Sequence, residues 1–481
     1  MHDTRVLCTD QVGLILEQPD GPRPRELARF SNRPSIGKRR HNAEGMLRRQ
    51  QAMTKNPSNR EARATTIVKR KRSLTHVGGE VEAKGGSALV DLLVRALAVD
   101  AAPEPLGDAG ETNDDSDRSD VHGFHTYPAR MHPHTARSLV DTLTPKRGIV
   151  LDPFCGSGTV VAEASARGLA AHGSDLNPLA VQLARTKLQR YTPEELILLA
   201  SEALRVAEFA DERRKARAGA THRYGEEDVA IFDPHVLLEL DSLRAAIGSS
   251  EAGPTIRRAL SLVLSAIIVK VSRKKSDTST QLEAKRIAAG FTAKLFRRKA
   301  TELVERLTAY RERREGKARW RVELDDATRL ETVRDRSVGL IVSSPPYAAT
   351  YDYFSHHDMR LRWLELDARS FAKGELGARR HFERLSIDEA RARWQHELGK
   401  LLWSLARVTA EQASVCLQIA DSAVDGQPLF ADEELRVATA RSAFVWLAEA
   451  SQARPHFHGP TNRAFDRSPR REHLFLLRRV G

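Results

Sequence analysis

Cysteine is nearly missing from this chain: three in 481 residues, Cys8, Cys155 and Cys416. They stand far apart, form no CxxC pair and have no cysteine or histidine at zinc-ligand spacing. That excludes a disulfide scaffold and a structural zinc site, and it suits a reducing cytoplasm. No apolar run approaches the roughly 20 residues of a membrane-spanning helix. The opening MHDTRVLCTD has no apolar stretch of the kind a secretory signal needs. Internal repeats are absent as well, which excludes solenoid and propeller architectures.

What the chain has in excess is positive charge. There are 77 Lys+Arg against 64 Asp+Glu, a formal net charge of +13. Such a balance favours a polyanionic partner, nucleic acid before an anionic membrane. Hydrophobic residues make up 41%, enough for a large core or for two to three domains.

The chain divides by pattern. Residues 1–85 are basic, polar and without sustained periodicity, and read as a largely disordered arm able to touch phosphates. Residues 86–121 hold a short amphipathic helix, SALVDLLVRALAV, and an acidic linker rich in Pro and Gly. From 122 to 191 strands and helices alternate: GIVLDPF and AAHGSDLNP read as strands, TVVAEASARG and PLAVQLARTKLQRY as helices. Residues 192–318 are almost wholly helical, an insertion. From 319 to 481 the strands return: ARWRVELDDA, SVGLIVSSPP, ASVCLQIADS, and a terminal pair FVWLAEASQ and EHLFLLRRV expected to form a hairpin. This alternation predicts an α/β fold with a parallel sheet covered on both faces.

Two strings carry chemistry. The first is VLDPFCGSGT, Val150–Thr159, between a strand and a helix. Gly156 and Gly158 allow a tight turn and close approach of a ligand. Asp175 ends the next strand 17 positions after Gly158, where an acidic residue of a doubly wound sheet binds ribose hydroxyls. The string is neither G-x-G-x-x-G nor a Walker A loop. Asp152 beside the loop would repel a pyrophosphate and suits a cation or an amine, as in S-adenosylmethionine (AdoMet), which has a sulfonium, an α-amino group and no phosphate.

The second string is Ser344-Pro345-Pro346-Tyr347. Two prolines end a buried-looking strand and make a rigid corner at the ligand-binding edge of a parallel sheet. An exocyclic base amine is a poor nucleophile, because its lone pair is delocalised. Fixed acceptors on its N–H groups help it attack, and the Ser344 side chain and the Pro345 carbonyl are such acceptors. Tyr347 is placed to stack on a base taken out of the helix.

Together these strings resemble the amino-methyltransferases of DNA, the AdoMet-dependent N4-cytosine and N6-adenine enzymes. DPFCGSGT resembles their AdoMet loop and SPPY their catalytic motif. GFHTYPARMHP looks like the segment that closes over the methionine end of AdoMet, and DDATRL like their third-strand acidic motif. The resemblance covers roughly 122–190 and 318–481. It implies a class I methyltransferase fold: a mostly parallel seven-stranded sheet with an antiparallel last strand, here with a helical insertion. Residues 122–191 would then be the AdoMet-binding half and 319–481 the catalytic half, with 192–318 the candidate for target recognition. The cofactor-binding residues it implies are Tyr127, Pro128, Asp152, Pro153, Phe154, Cys155, Gly156, Ser157, Gly158, Thr159, Asp175, Asn177 and Asp326. The catalytic residues are Ser344, Pro345, Pro346 and Tyr347. DNA with a flipped base is the implied substrate, and a restriction or defence nuclease the implied partner. A serine before the two prolines is commoner among the N4-cytosine enzymes; N6-adenine and RNA guanine-N2 methylation are the alternatives. No cysteine stands in a Pro-Cys pair, so C5-cytosine chemistry is not expected. Lys270, Ser272, Arg273, Lys274 and Lys275, in a basic loop of the insertion, are candidate phosphate contacts. His356 and His357 lack a third ligand, and no metal is expected.

Overall fold

The computed structural model describes residues 80–98, 121–276, 279, 281–454 and 463–480, all within one compact unit, Lys71–Gly481. Most of the expected basic arm and acidic linker therefore lies outside the described residues.

Residues 80–85 are described, and they correct the reading of the arm. Val81–Gly85 is a strand, β1, followed by α1, Ser87–Leu97. Its sequence VEAKG carries little strand preference, and it is the neighbouring strand that makes it one. Then come α2 (Pro133–Thr142), β2 (Ile149–Asp152), α3 (Thr159–Ala166), β3 (Ala171–Asp175) and α4 (Pro178–Leu188). The insertion supplies α5 (Pro193–Lys215), α6 (Glu226–Ile231), α7 (Pro234–Gly248), α8 (Gly253–Val271) and α9 (Phe291–Arg313). After β4 (Trp320–Leu324) and β5 (Val338–Ser343), α10 (Tyr353–Trp363) and α11 (Arg369–Gly374) follow the proline corner. The chain ends with α12 (Ile387–Val408), β6 (Thr409–Ala420), a small hairpin β7 (Ser422–Val424) and β8 (Gln427–Leu429), α13 (Ala431–Thr439), β9 (Phe444–Ala453) and β10 (Arg471–Arg479).

The main sheet runs β1-β9-β10-β6-β5-β2-β3-β4. The pairs β2/β3, β2/β5, β3/β4 and β5/β6 are parallel. Strand β10 is antiparallel to both β6 and β9, so seven strands with a reversed last one form the expected sheet. The eighth strand, β1, adds antiparallel to β9, with Val81 opposite Gln452 and Gly85 opposite Ala448. Gly85 sits at φ 136°, and a Cβ there would lie 2.7 Å from Cβ of Ala448, so the edge closes only with glycine.

Apolar side chains fill both faces. One core joins α1–α4 with the insertion helices and one side of the sheet. The other lies under α12 and α13. The insertion is thus no appended module. Twelve of the 19 residues of α8 are buried, and its core is continuous with that of α3 and α4. Helix α9 is fastened to α3: Tyr310 Oη donates to the Ala162 carbonyl at 2.8 Å, and Arg313 clamps the Glu163 carboxylate with two bonds of 2.9 Å. Helix α10 is locked to the insertion by Trp363 Nε1 donating to Asp228 at 3.1 Å and Arg360 Nε donating to the Ser265 carbonyl at 3.2 Å. The segment after the proline corner is therefore held by the insertion, a relation the order of elements does not reveal.

Candidate active site

Strands β2, β3, β4 and β5 all end at the same edge of the sheet, and there a cleft opens whose empty space, open solvent included, is about 840 Å3. The glycine loop forms its floor. Gly156 sits at φ 48° and Gly158 at φ 86°, in the left-handed region that glycine enters without strain. A Cβ on Gly156 would come within 3.1 Å of the Tyr127 ring, and one on Gly158 within 2.7 Å of Cβ of Ala184. The first glycine thus lets Tyr127 close down on the loop, and the second lets α3 pack on α4.

Asp175 holds the loop's shape. Its Oδ2 accepts from Gly156 N at 2.8 Å and its Oδ1 from Asn177 N at 2.9 Å. Asn177 caps α4 and donates to Tyr127 Oη at 3.3 Å. Asp152 is buried, and its Oδ1 accepts from Ser343 Oγ at 2.6 Å and Phe154 N at 3.2 Å. Burial drives both carboxyls upward: Asp152 to about 7, against the pull of its two hydrogen bonds, and Asp175 to about 6. Two carboxylates desolvated at one cleft favour a ligand that brings positive charge and hydroxyl donors. The Thr159 hydroxyl, buried on the same wall, has no partner among the described residues.

Of the residues expected to bind cofactor, Tyr127, Pro128, Asp152, Pro153, Phe154, Cys155, Gly156, Thr159, Asp175 and Asp326 line this cleft. Ser157, Gly158 and Asn177 stand behind it: Ser157 Oγ accepts from Lys187 Nζ at 3.2 Å, and the other two shape the turn. Asp326 Oδ1 accepts from the amide and hydroxyl of Thr328, both at 2.8 Å. Ser344 and Pro346 also line the cleft, whereas Pro345 is buried beside it.

Tyr347 faces elsewhere. It lines a smaller cavity, about 310 Å3 of empty space with open solvent included, that shares only Ala129 and Arg130 with the cleft. Its hydroxyl donates to Glu472 Oε1 at 2.5 Å. Burial pushes the phenol up to about 12, with the Ser344 hydroxyl and the Arg454 charge pulling it back. The four-residue corner thus stands between two cavities, with Ser344 on one and Tyr347 on the other.

The basic loop does not meet either cavity. Arg273 is bonded to Asp233, with Nη2 to Oδ1 at 2.6 Å, and Ser272 is buried with its hydroxyl on the Val269 carbonyl at 2.9 Å. Lys274 bridges Leu282, and Lys275 pairs with Glu283 at 3.3 Å. Lys270, at the end of α8, is half-buried. Both described cysteines are buried with thiols pushed upward by burial, Cys416 to about 12, so neither offers a thiolate nucleophile at neutral pH.

Sequence reasoning gave no role in the site to several residues. Ser343, the serine before the corner's own, holds Asp152. Glu375 lines the cleft and accepts from Tyr353 N at 2.6 Å and Phe354 N at 3.2 Å, capping α10. His357 is fully buried and stacks on Tyr127, centroids 4.9 Å apart at 24°. The doubled serine was a readable signal for the first. The other two depend on a tertiary contact.

A reversed seventh strand in a parallel sheet, a glycine loop after the first strand and acidic ends on the next two define a class I methyltransferase fold. The residues present fit AdoMet: buried acids for its cationic groups, Asp175 for ribose, and a glycine cradle under Tyr127. Residues 101–186 match the family model described as DNA methylase. The type II methyltransferase M.MvaI of Kocuria varians is 35% identical over 79 residues, 16% of this chain and 17% of that protein. The tRNA (guanine(10)-N2)-dimethyltransferase of Methanothermobacter thermautotrophicus is 36% identical over 88 residues, 18% of this chain and 26% of that protein. Through this segment the chain is similar to the amino-methyltransferases of DNA and of tRNA; it spans only 17% and 26% of the length of these two relatives. Among solved structures, TrmN of Thermus thermophilus aligns at a TM-score of 0.29 and 11% identity, over 76% of this chain and 52% of that one.

Proposed function

We propose that the protein methylates an exocyclic base amine in DNA, N4 of cytosine, with AdoMet as donor. The observation that carries this reading is the position of Ser344–Tyr347 between two cavities. One carries the buried acids that suit the donor, and the other, lined by Tyr347, lies on the far side of the corner, where the base would enter. Bound AdoMet supplies an electrophilic methyl group on its sulfonium.

The chain's part is positioning, which is where much of such a rate arises. The Ser344 hydroxyl and the Pro345 carbonyl accept the two N–H groups of the amine and raise the electron density on its nitrogen. Held so, the amine nitrogen would take up the methyl group in place of one proton, lost to solvent during or after attack, and the neutral thioether would be left in the cleft. Asp152 and Asp175 hold the donor's charged and hydroxyl groups. Phosphate contacts beyond the site fall to Lys274, and to Lys275 once it leaves Glu283, since Arg273 and Ser272 are committed within the insertion. The family resemblance adds a restriction or defence nuclease as the partner.

The test is to incubate the protein with labelled AdoMet and either DNA or RNA, digest, and identify the modified nucleoside. N4-methylcytosine in DNA is the expected product. N6-methyladenine shifts the assignment of the base, and label in RNA alone overturns the DNA reading. Ser344→Ala is expected to lower turnover at least 100-fold with AdoMet affinity within threefold. An equal loss of affinity would remove the catalytic role assigned to the corner.

A further inference from the structure

The smaller cavity holds more hydrogen-bond donors than the described residues satisfy. Arg454, Arg470 and Glu472 line it at 6%, 4% and 5% exposure, together with Tyr347 and Tyr351. Glu472 is engaged on both sides: Oε1 accepts from Tyr347 Oη, and Oε2 is paired with Arg454 Nη2. Arg470 spends its Nε on the Asp421 carbonyl at 2.6 Å. Arg454 keeps Nε and Nη1 without a partner among the described residues. Its guanidinium is pushed down to about 10, first by burial and then by Arg470. A buried arginine with idle N–H groups costs stability, and a fold retains it where a ligand completes the bonds.

What completes them must accept, because arginine can only donate. On the edge of cytosine beside its amine stand two acceptors, N3 and O2. Adenine presents one, N1, and then a C–H. Guanine, methylated on its 2-amino group, has the acceptor N3 on one side and a donor, N1–H, on the other. Only cytosine offers acceptors throughout the edge that would meet a donor-only wall while its amine points at Ser344. Flipped bases are read in this way, on the edge they use for pairing.

We infer that Arg454, held by Glu472 and Tyr347, reads the pairing edge of the target cytosine, and so sets which base the corner methylates. The inference rests on the DNA reading above. Glu472 and Tyr347 act as positioning residues: Tyr347 holds Glu472, Glu472 engages Nη2, and Nε and Nη1 are left without a partner among the described residues.

The experiment uses the full chain, DNA amplified in vitro and therefore unmethylated, and mass spectrometry of the digested nucleosides. Wild type, Arg454→Met and Arg454→Lys are compared for N4-methylcytosine and N6-methyladenine formation, AdoMet affinity and melting temperature. Arg454→Met is expected to lose about 100-fold in cytosine turnover per KM, with AdoMet affinity within threefold. Arg454→Lys restores a donor and is expected to recover part of that loss. It also carries the test if the methionine variant does not fold, through a deficit of at least tenfold against wild type. A folded variant that methylates cytosine within threefold of wild type overturns the inference and leaves the DNA reading standing. Wild type that modifies only adenine, only RNA, or nothing overturns the reading itself and the inference with it, and that result appears before any variant is compared.

Discussion

The pH dependence of AdoMet affinity tests the electrostatics of the cleft most directly. Burial holds Asp152 at about 7 and Asp175 at about 6. A ligand whose cationic groups require the Asp152 carboxylate and whose ribose hydroxyls donate to the Asp175 carboxylate must displace their protons, so affinity rises with pH until both are ionised. If only the carboxylate form binds, each group weakens binding by one plus ten to the power (pKa − pH). From pH 7.0 to 5.5 that factor changes about 16-fold for Asp152 and about fourfold for Asp175, a combined loss of about 60-fold. The ligand's own α-amino group, near 7.7–8.0 when free, stays protonated across this window. The ligand-free chain runs the other way. A carboxyl whose value is raised by folding takes up a proton on folding, so its contribution is present below about 4 and is lost as pH rises to about 7. For Asp152 the loss is roughly 4 kcal/mol. Calorimetric titration at pH 5.5, 6.0, 6.5 and 7.0 reads the slope, and Asp152→Asn is expected to reduce it to about fourfold while weakening binding at pH 7. An affinity flat across that range, or an unchanged slope in Asp152→Asn, would refute the assignment of these acids to the donor's charged and hydroxyl groups.

Two further outcomes are expected. Ser343→Ala removes the hydrogen bond that opposes burial at Asp152. The carboxyl then rises by about one pH unit, and AdoMet binding weakens about fivefold at pH 7 but only about twofold at pH 8, read by the same titration. Gly158→Ala combines a left-handed backbone with a Cβ 2.7 Å from Cβ of Ala184. It is expected to cost roughly 3 kcal/mol in denaturant unfolding, whereas Gly219→Ala, where a Cβ meets nothing within 4 Å, is expected to cost less than about 1 kcal/mol.

Much of the sheet was legible because its strands are short apolar runs, each followed by a helix of different period. VLDPFCGSGT marked β2, its turn and α3, and the paired register of β9 and β10 follows from two apolar segments near the end. Elements without their own signal were missed. β1 is a strand only through β9. α13, ADEELRVAT, is too short for its period to stand out. The hairpin of β7 and β8 did carry a sign, Asp425–Gly426, both at positive φ as a type I′ turn requires, and that sign was passed over. In the site, residues adjacent in sequence to a motif were readable, and residues that reach it from afar were not. Glu375, Arg454 and Glu472 come from segments with no motif at all.

The amino-acid sequence by itself determined the class of chemistry: a glycine loop with an acid before it and another after it, and a rigid Ser-Pro-Pro-Tyr corner. These are local demands, because a tight turn needs glycine and a fixed acceptor needs proline wherever the chain later goes. Tertiary structure alone decided what the corner faces. Parallel pairing of β2 with β5 brings Ser343 to Asp152 and Ser344 to the cleft, and antiparallel pairing of β10 with β6 sets Glu472 under Tyr347. Tyr347, expected from sequence to be free to stack on a base, is held through its hydroxyl in a second cavity. Such contacts join residues more than a hundred positions apart, and only the register of the sheet brings them within the 3 Å of a hydrogen bond.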